Sequence, residues 1–218
     1  MKIDIPLSHE SLSMPMVQIG TYKPEWAKNY ATNNAHLLEL LANTTTRDYA
    51  TFMPAGIKPK VLLHTKLSPM TEEYYVHSIF RSIDLIQYCV KIEHIKIDGI
   101  RSLSTLSQTS VWRNKEMINL PHIATWVFEK VLLPKNGNIL SDSIQSAEGK
   151  DFWITRMADV FAERKYKVYA LGIEKVSRKY ICEEAHLITT IEEADEYYTE
   201  EPDYAGMFYR LLITKQTL

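Results

Sequence analysis

The residues best suited to chemistry lie in one run, Asn136 to Ile173. A short apolar pair, Ile139 and Leu140, ends at Ser141-Asp142, and a polar loop, Ser143 to Gly149, leads into an amphipathic stretch. Many α/β proteins hold a phosphate-bearing ligand at such a place, because a helix N-terminus offers free N–H groups and partial positive charge. Ser143, Gln145 and Ser146 add donors, whereas Asp142 and Glu148 would repel a pyrophosphate. A purely structural role accounts for the same residues: Ser146 as N-cap, with Glu148 and Asp151 in the first turn where the helix dipole favours carboxylates. That capping role is the expectation.

A second group of reactive side chains is the histidines. His64, His77, His94, His122 and His186 are candidate general bases, because the imidazole of a free histidine exchanges its proton near neutrality. None has a sequence neighbour that fixes its role, since Glu93 beside His94 points to the opposite face of a strand. They are expected to be structural. No HExxH or Cys/His cluster is present, so no metal site is expected. Cys89 and Cys182 sit among apolar or aromatic neighbours without a CxxC and are expected to be buried free thiols.

The third group is acidic. Glu192, Glu193, Asp195, Glu196, Glu200, Glu201 and Asp203 place seven carboxylates within twelve residues, interleaved with Tyr197, Tyr198 and Tyr204. A solvated helix face explains such a run. A docking surface for a basic partner explains it too, because tyrosines supply contact area and clustered carboxylates steer cations.

These groups need a frame. At 218 residues, 45% apolar and 24% charged, the chain suits one domain, or one domain with an appendage. A net charge of −2 makes no electrostatic case for nucleic-acid binding over the whole surface. No apolar stretch nears the ~20 residues of a membrane span, and MKIDIPLSHE lacks the apolar core of a secretory signal. A soluble, cytoplasmic protein is expected.

Residues 1–23 read as an extended arm with one short strand, Met16 to Ile19. Pro24 opens a helix with Trp26, Tyr30, Leu37, Leu38 and Leu41 on its apolar side, ending before a Thr44-Thr45-Thr46 loop. A second arm, Pro54 to Pro59, precedes a strand at Lys60–His64. Glu73–Ser82, Leu85–Ile97 and Ile100–Trp112 predict an antiparallel meander, with Asp98-Gly99 as a turn. Ile123, Trp126, Val127, Val131 and Leu132 fit a helix stopped by Pro134 and Gly137. A strand at 138–141, a helix from Ala147 to Arg164 and a strand at Lys167–Gly172 follow. In that helix Trp153, Met157, Val160 and Phe161 form a core-facing stripe. A short strand at Lys179–Cys182, a helix at Ile191–Tyr198 capped by Thr190 with Glu193 at the capping-box position, and a strand at Met207–Thr214 close the chain.

Three antiparallel strands, a polar loop opening a helix, and a further strand resemble the GNAT acyltransferase fold over about residues 70 to 214. The resemblance implies a pyrophosphate loop of the form Q/R-x-x-G-x-G/A. Gln145 matches its first position, Glu148 and Lys150 replace its small residues, and Gly149 falls between them. It implies that Gln145, Ser146, Ala147, Glu148, Gly149 and Lys150 would be the cofactor-binding residues, with the backbone of Ala147 to Gly149 on the pyrophosphate of acetyl-CoA or another acyl-CoA. Tyr169 or Tyr209, on late strands, would then be the catalytic acid. The segment SDSIQSAEGKDFW also resembles a motif of uncharacterised bacteriophage proteins.

The expected architecture is therefore mixed α/β: an N-terminal arm and helix over 1–59, then a GNAT-like domain over 60–218 with an antiparallel first half and a strand–helix–strand second half. The degenerate loop favours a non-catalytic protein-interaction protein without a cofactor. Its partner would be another protein with a basic surface, met by the segment Glu192 to Tyr204. The alternatives are an acyl-CoA-dependent N-acyltransferase with a diverged loop, and an inhibitor of a host enzyme.

Overall fold

The computed structural model describes residues 25–43, 45–48, 62–67, 70–80, 82–100, 103–114, 123–141, 147–176, 179–197 and 208–218. The expected strand at Met16–Ile19 and the arms at 1–23 and Pro54–Pro59 lie outside them. The architecture is mixed α/β. A nine-stranded sheet runs in the order β1-β2-β3-β4-β5-β6-β9-β7-β8. Its strands are β1 (Thr45–Asp48), β2 (Leu62–Leu67), β3 (Thr71–Phe80), β4 (Ile83–Asp98), β5 (Ser104–Arg113), β6 (Asn138–Leu140), β7 (Lys167–Val176), β8 (Lys179–Ile188) and β9 (Phe208–Thr214).

The predicted meander is present as β3–β4–β5, antiparallel throughout. Its alternation sorts the core. Tyr74 and Val76 of β3, with Tyr88, Val90 and Ile92 of β4, face the main cluster under the helices, while Tyr75 and Cys89 face the opposite side. Beyond β5 the sheet changes character. β6 runs parallel to β5, β9 inserts antiparallel between β6 and β7, and the end of β4 meets β8 in parallel at Ile97–Tyr180 and Asp98–Ile181. The strands β4, β5, β6, β9, β7 and β8 thus close into a ring. Its interior is a second core of Ile95, Ile97, Leu103, Leu140, Tyr169, Leu171, Ile173 and Leu212.

Helix α1 (Tyr30–Asn43) starts at Asn29, whose carboxamide oxygen accepts from Thr32 N–H at 2.9 Å while Thr32 Oγ1 accepts from Asn29 N–H at 3.3 Å. It packs on β4 by Asn33, Leu37 and Leu40. The buried Asn33 carboxamide pairs both ways with the Ile86 backbone, donating to its C=O at 3.0 Å and accepting from its N–H at 2.7 Å. This anchor rotates the helix from the expected face: Leu38 and Leu41 are exposed. The expected loop at Thr44–Thr46 is also corrected, since Thr45 and Thr46 belong to β1 and pair with Thr65 and His64.

The helix after β5 does not stop at Pro134. It runs as α2 (Ile123–Val127), a π-helical turn (Phe128–Leu132) and α3 (Leu133–Asn136). In the π turn Leu133 N–H bonds back to Phe128 C=O, so Pro134 falls at the start of a new helical register where its missing N–H costs little. Gly137, at φ 70°, ends it as a left-handed cap. Helix α4 (Ala147–Glu163) buries Trp153, Met157 and Val160, and Phe161 packs partly buried against the same core. Phe128 meets Phe152 and Trp153 edge to face at 5.6 and 5.4 Å. Helix α5 (Ile191–Glu196) carries the predicted cap: Thr190 Oγ1 accepts from Glu193 N–H at 3.2 Å. The Glu193 carboxylate reaches back one residue further than a simple capping box, to Thr189 N–H at 2.7 Å. β8 extends to Ile188, six residues past the expected end at Cys182. Both cysteines are free thiols; Cys89 is buried as expected, whereas Cys182 is only half-buried.

Candidate functional site

Two trios of the same composition stand on the sheet. The first grows from β3 and β4. Glu72 and Tyr74 are two apart on β3 and so share a face, and the Tyr74 hydroxyl donates to Glu72 Oε2. His94 of β4 lies 3.3 Å by Nε2 from the other carboxylate oxygen. Lys135, at the end of α3, donates to Glu72 Oε2 at 3.0 Å and to the Tyr74 hydroxyl at 2.9 Å, its ammonium 5.3 Å from the Tyr74 ring centre. Burial alone would push the Glu72 carboxyl up. The Tyr74 hydrogen bond and the Lys135 and His94 charges outweigh it, so the group sits below its ordinary value. His94, one of the five candidate bases, is therefore held by a carboxylate on the neighbouring strand rather than by Glu93.

The second trio spans β8, β7 and β9. Glu184 of β8 and Tyr209 of β9 are both registered on Gly172 of β7. Glycine carries no side chain, so the space over β7 stays open and the Tyr209 hydroxyl donates to Glu184 Oε1 across it. His186 lies on the same face of β8, its Nε2 3.0 Å from Glu184 Oε2. Tyr197, just past α5, stacks on His186 with ring centres 5.2 Å apart and meets Tyr209 edge-on at 5.0 Å. The Glu184 and His186 side chains remain about two-fifths exposed, at 38% and 41%.

The second trio brings His186, Tyr209 and Tyr197, expected in separate roles, together around Glu184. Lys150, in the first turns of α4, forms a 2.6 Å ion pair with Asp195 of α5. The start of α4 and the acidic helix are thus joined, and α5 delivers Tyr197 to His186 and Tyr209. Glu192 and Glu196 are exposed, and Glu193 is taken up by its cap, which lowers its carboxyl through the Thr189 hydrogen bonds. Ala147, Glu148 and Gly149 form the first helical turn. Gln145, Ser146, Tyr198, Glu200, Glu201, Asp203 and Tyr204 lie outside the described residues. Tyr169 is not with Tyr209: it is buried in the ring interior, where its hydroxyl accepts from Leu218 N–H at 3.3 Å. Alternation explains the separation, because β7 turns Tyr169 inward and β9 turns Tyr209 toward the helices.

The remaining histidines are placed elsewhere. His77 is buried with Nδ1 2.8 Å from Asp84 Oδ1. His64 lies on β2, and His122 lies outside the described residues. Among the described residues no group of three or more His, Cys, Asp or Glu is placed to hold a metal ion. No described helix is long and apolar enough to cross a membrane. Glu72, Tyr74, Lys135 and Glu184 were not among the sequence candidates, and Gly172 was read only as the end of a strand. The available signal was the glycine inside a β-rich run, which marks a place where something crosses the strand.

The chain matches no protein-family model, and no curated protein matches it at a significant level.

Proposed function

We propose that this chain is a non-catalytic protein-interaction protein, an adaptor or binding protein, which engages a basic partner through the corner formed by β8, α5 and Tyr209. The ion pair between Lys150 and Asp195 carries the reading. It brings an acidic helix against the start of α4, where an acyl-CoA pyrophosphate would have to lie, and carboxylates beside that position oppose a polyanion. The same arrangement leaves Glu192 and Glu196 exposed beside the Tyr197–His186 stack, an aromatic anchor within an acidic field.

The scaffold reading remains GNAT-like. The antiparallel β3–β4–β5 run, β6 parallel to β5 and the β6–α4–β7 unit support it. A second reading, an N-acyltransferase with a diverged loop, is favoured by one observation: Tyr209 stands on a carboxylate–histidine pair.

Calorimetric titration separates the two. Acetyl-CoA is expected to give no saturable heat, and octalysine a saturable one that fades as salt rises. Saturable acetyl-CoA binding would overturn the interaction reading in favour of the acyltransferase. Octalysine binding that is indifferent to the double charge reversal Glu192→Lys, Glu196→Lys would remove the acidic corner as the docking surface.

A further inference from the structure

Among the described residues β4 and β8 run side by side at Ile97–Tyr180 and Asp98–Ile181 alone. There the Asp98-Gly99 turn carries β4 away. Gly99 has φ +95°, and a Cβ on it would lie 2.5 Å from the Cys182 carbonyl oxygen, so only glycine lets β4 leave this close to β8. Beyond this fork lies an open cavity of about 410 Å³, walled by Gly99 and Ile100, by β8 from Cys182 to Ala185, and by the C-terminal residues Gln216 to Leu218. β8 continues to Ile188, held on one side by β7. Among the described residues no strand lies along Ala185–Leu187 on its other side.

Natural sheet edges are guarded by bulges and charges. β8 has both near its middle: the register shifts opposite Gly172/Ile173, where Glu183 is left without a register partner on β7 and Glu184 stands next to it. The guard stops there. Ala185 is exposed, Leu187 is 53% exposed, and a strand turns every second N–H and C=O away from its neighbour. The two faces of this edge also differ. Ala185 and Leu187 pair with Leu171 and Tyr169 and share the side of the ring core, whereas Glu184 and His186 share the side of α5 and its carboxylates.

We propose that an extended basic segment of a partner protein adds as a strand to β8 along Ala185–Ile188, entering at the fork where β4 departs. Resting on the docking reading above, this gives the partner its chemistry. Its backbone pairs with the β8 edge, one row of side chains is apolar and packs on Ala185 and Leu187, and the alternate row is lysine or arginine facing Glu184 and the carboxylates of α5.

The test uses the full chain and a fluorescent eight-residue peptide alternating Lys and Val, read by anisotropy. Two further peptides carry N-methyl groups on alternate amides, one set on the odd positions and one on the even. Strand addition predicts that one methylated peptide binds at least about tenfold more weakly than the other, since only one set of amides faces β8. Leu187→Asp, at an exposed position, is expected to weaken the unmodified peptide as well. Equal binding of both methylated peptides overturns strand addition while leaving charge docking standing. No binding of any Lys-Val peptide, with octalysine still bound, does the same, and loss of both probes overturns the docking reading itself. A dimer in light scattering that Leu187→Asp dissolves would give the edge to a second copy and overturn the proposal.

Discussion

The two carboxylate–tyrosine–histidine trios differ in what closes them. Glu72 has only 9% of its side chain exposed and is met by Lys135, which also lies over the Tyr74 ring. Glu184 is 38% exposed, and its tyrosine and histidine are packed by a third aromatic ring, Tyr197. A buried carboxylate with a cation attached has satisfied its charge within the molecule. A half-exposed one beside exposed acids on α5 still presents a field to solvent. With Lys135 added, the same three residue types tie α3 to β3 and β4 in one place, and in the other they leave a half-exposed carboxylate beside the acids of α5.

The largest effect should come from breaking the lock on one side only. Lys135→Met leaves the Glu72 carboxylate buried with its cation removed, a change that costs several kcal/mol in a dry interior. Lys135 is 43% exposed, so the attraction is partly screened. A loss of about 2 kcal/mol is expected from urea denaturation. Glu72→Gln should cost less, because the freed ammonium can turn to water. The double variant should recover at least about 0.5 kcal/mol relative to the sum of the singles, as expected for groups in contact. Purely additive losses would show that the two are not coupled and that Lys135 is no lock on Glu72.

A smaller effect should appear with pH. The folded Glu72 carboxyl lies below its ordinary value of 4.5. Between the two values the unfolded chain binds more protons than the folded one, so protonation favours unfolding. The stabilisation from Glu72 should be fully present above pH 4.5 and vanish as pH falls through the lower folded value. Measured as the difference in urea midpoint between wild type and Glu72→Gln, it should shrink monotonically on acidification. A difference that grows as pH falls would mean that desolvation, not the Tyr74–Lys135–His94 set, governs the group.

How far each trio was legible follows from sequence distance. Glu72 and Tyr74 are two apart on β3 and share a face, but the expected strand began at Glu73 and left Glu72 out. Thr190 with Glu193, and the Trp153–Met157–Val160 stripe, are local and were readable from spacing alone. The β3–β4–β5 meander was readable from its Asp98-Gly99 turn. What escaped depends on contacts that no local period encodes. The Asn33 carboxamide turned α1 by bonding the Ile86 backbone 53 residues away. A π turn let the helix pass Pro134, a device without a composition signal. β8 outran its expected end because its later half is stabilised by pairing with β7, not by its own alternation of Glu, Ala and His. β6, α4 and β7 follow in the expected strand–helix–strand order, yet Lys150 of α4 is paired with Asp195, which no spacing rule joins to it.

The smallest effect should be Tyr209→Phe. It removes the hydroxyl that donates to Glu184 but keeps the ring that meets Tyr197 and His186. A hydrogen bond to a carboxylate is worth more than a neutral one, but solvent access to Glu184 lets water replace it. A loss below about 1 kcal/mol is expected by urea denaturation. Tyr197→Ala should cost about as much or slightly more, because it deletes two aromatic contacts. If Tyr209→Phe proved as costly as Lys135→Met, Glu184 would be a buried-type lock like Glu72, and the corner would lose its claim to be a surface. If it is nearly silent in stability while Glu192→Lys, Glu196→Lys changes octalysine binding, then the second trio is spent on recognition and the first on holding the fold.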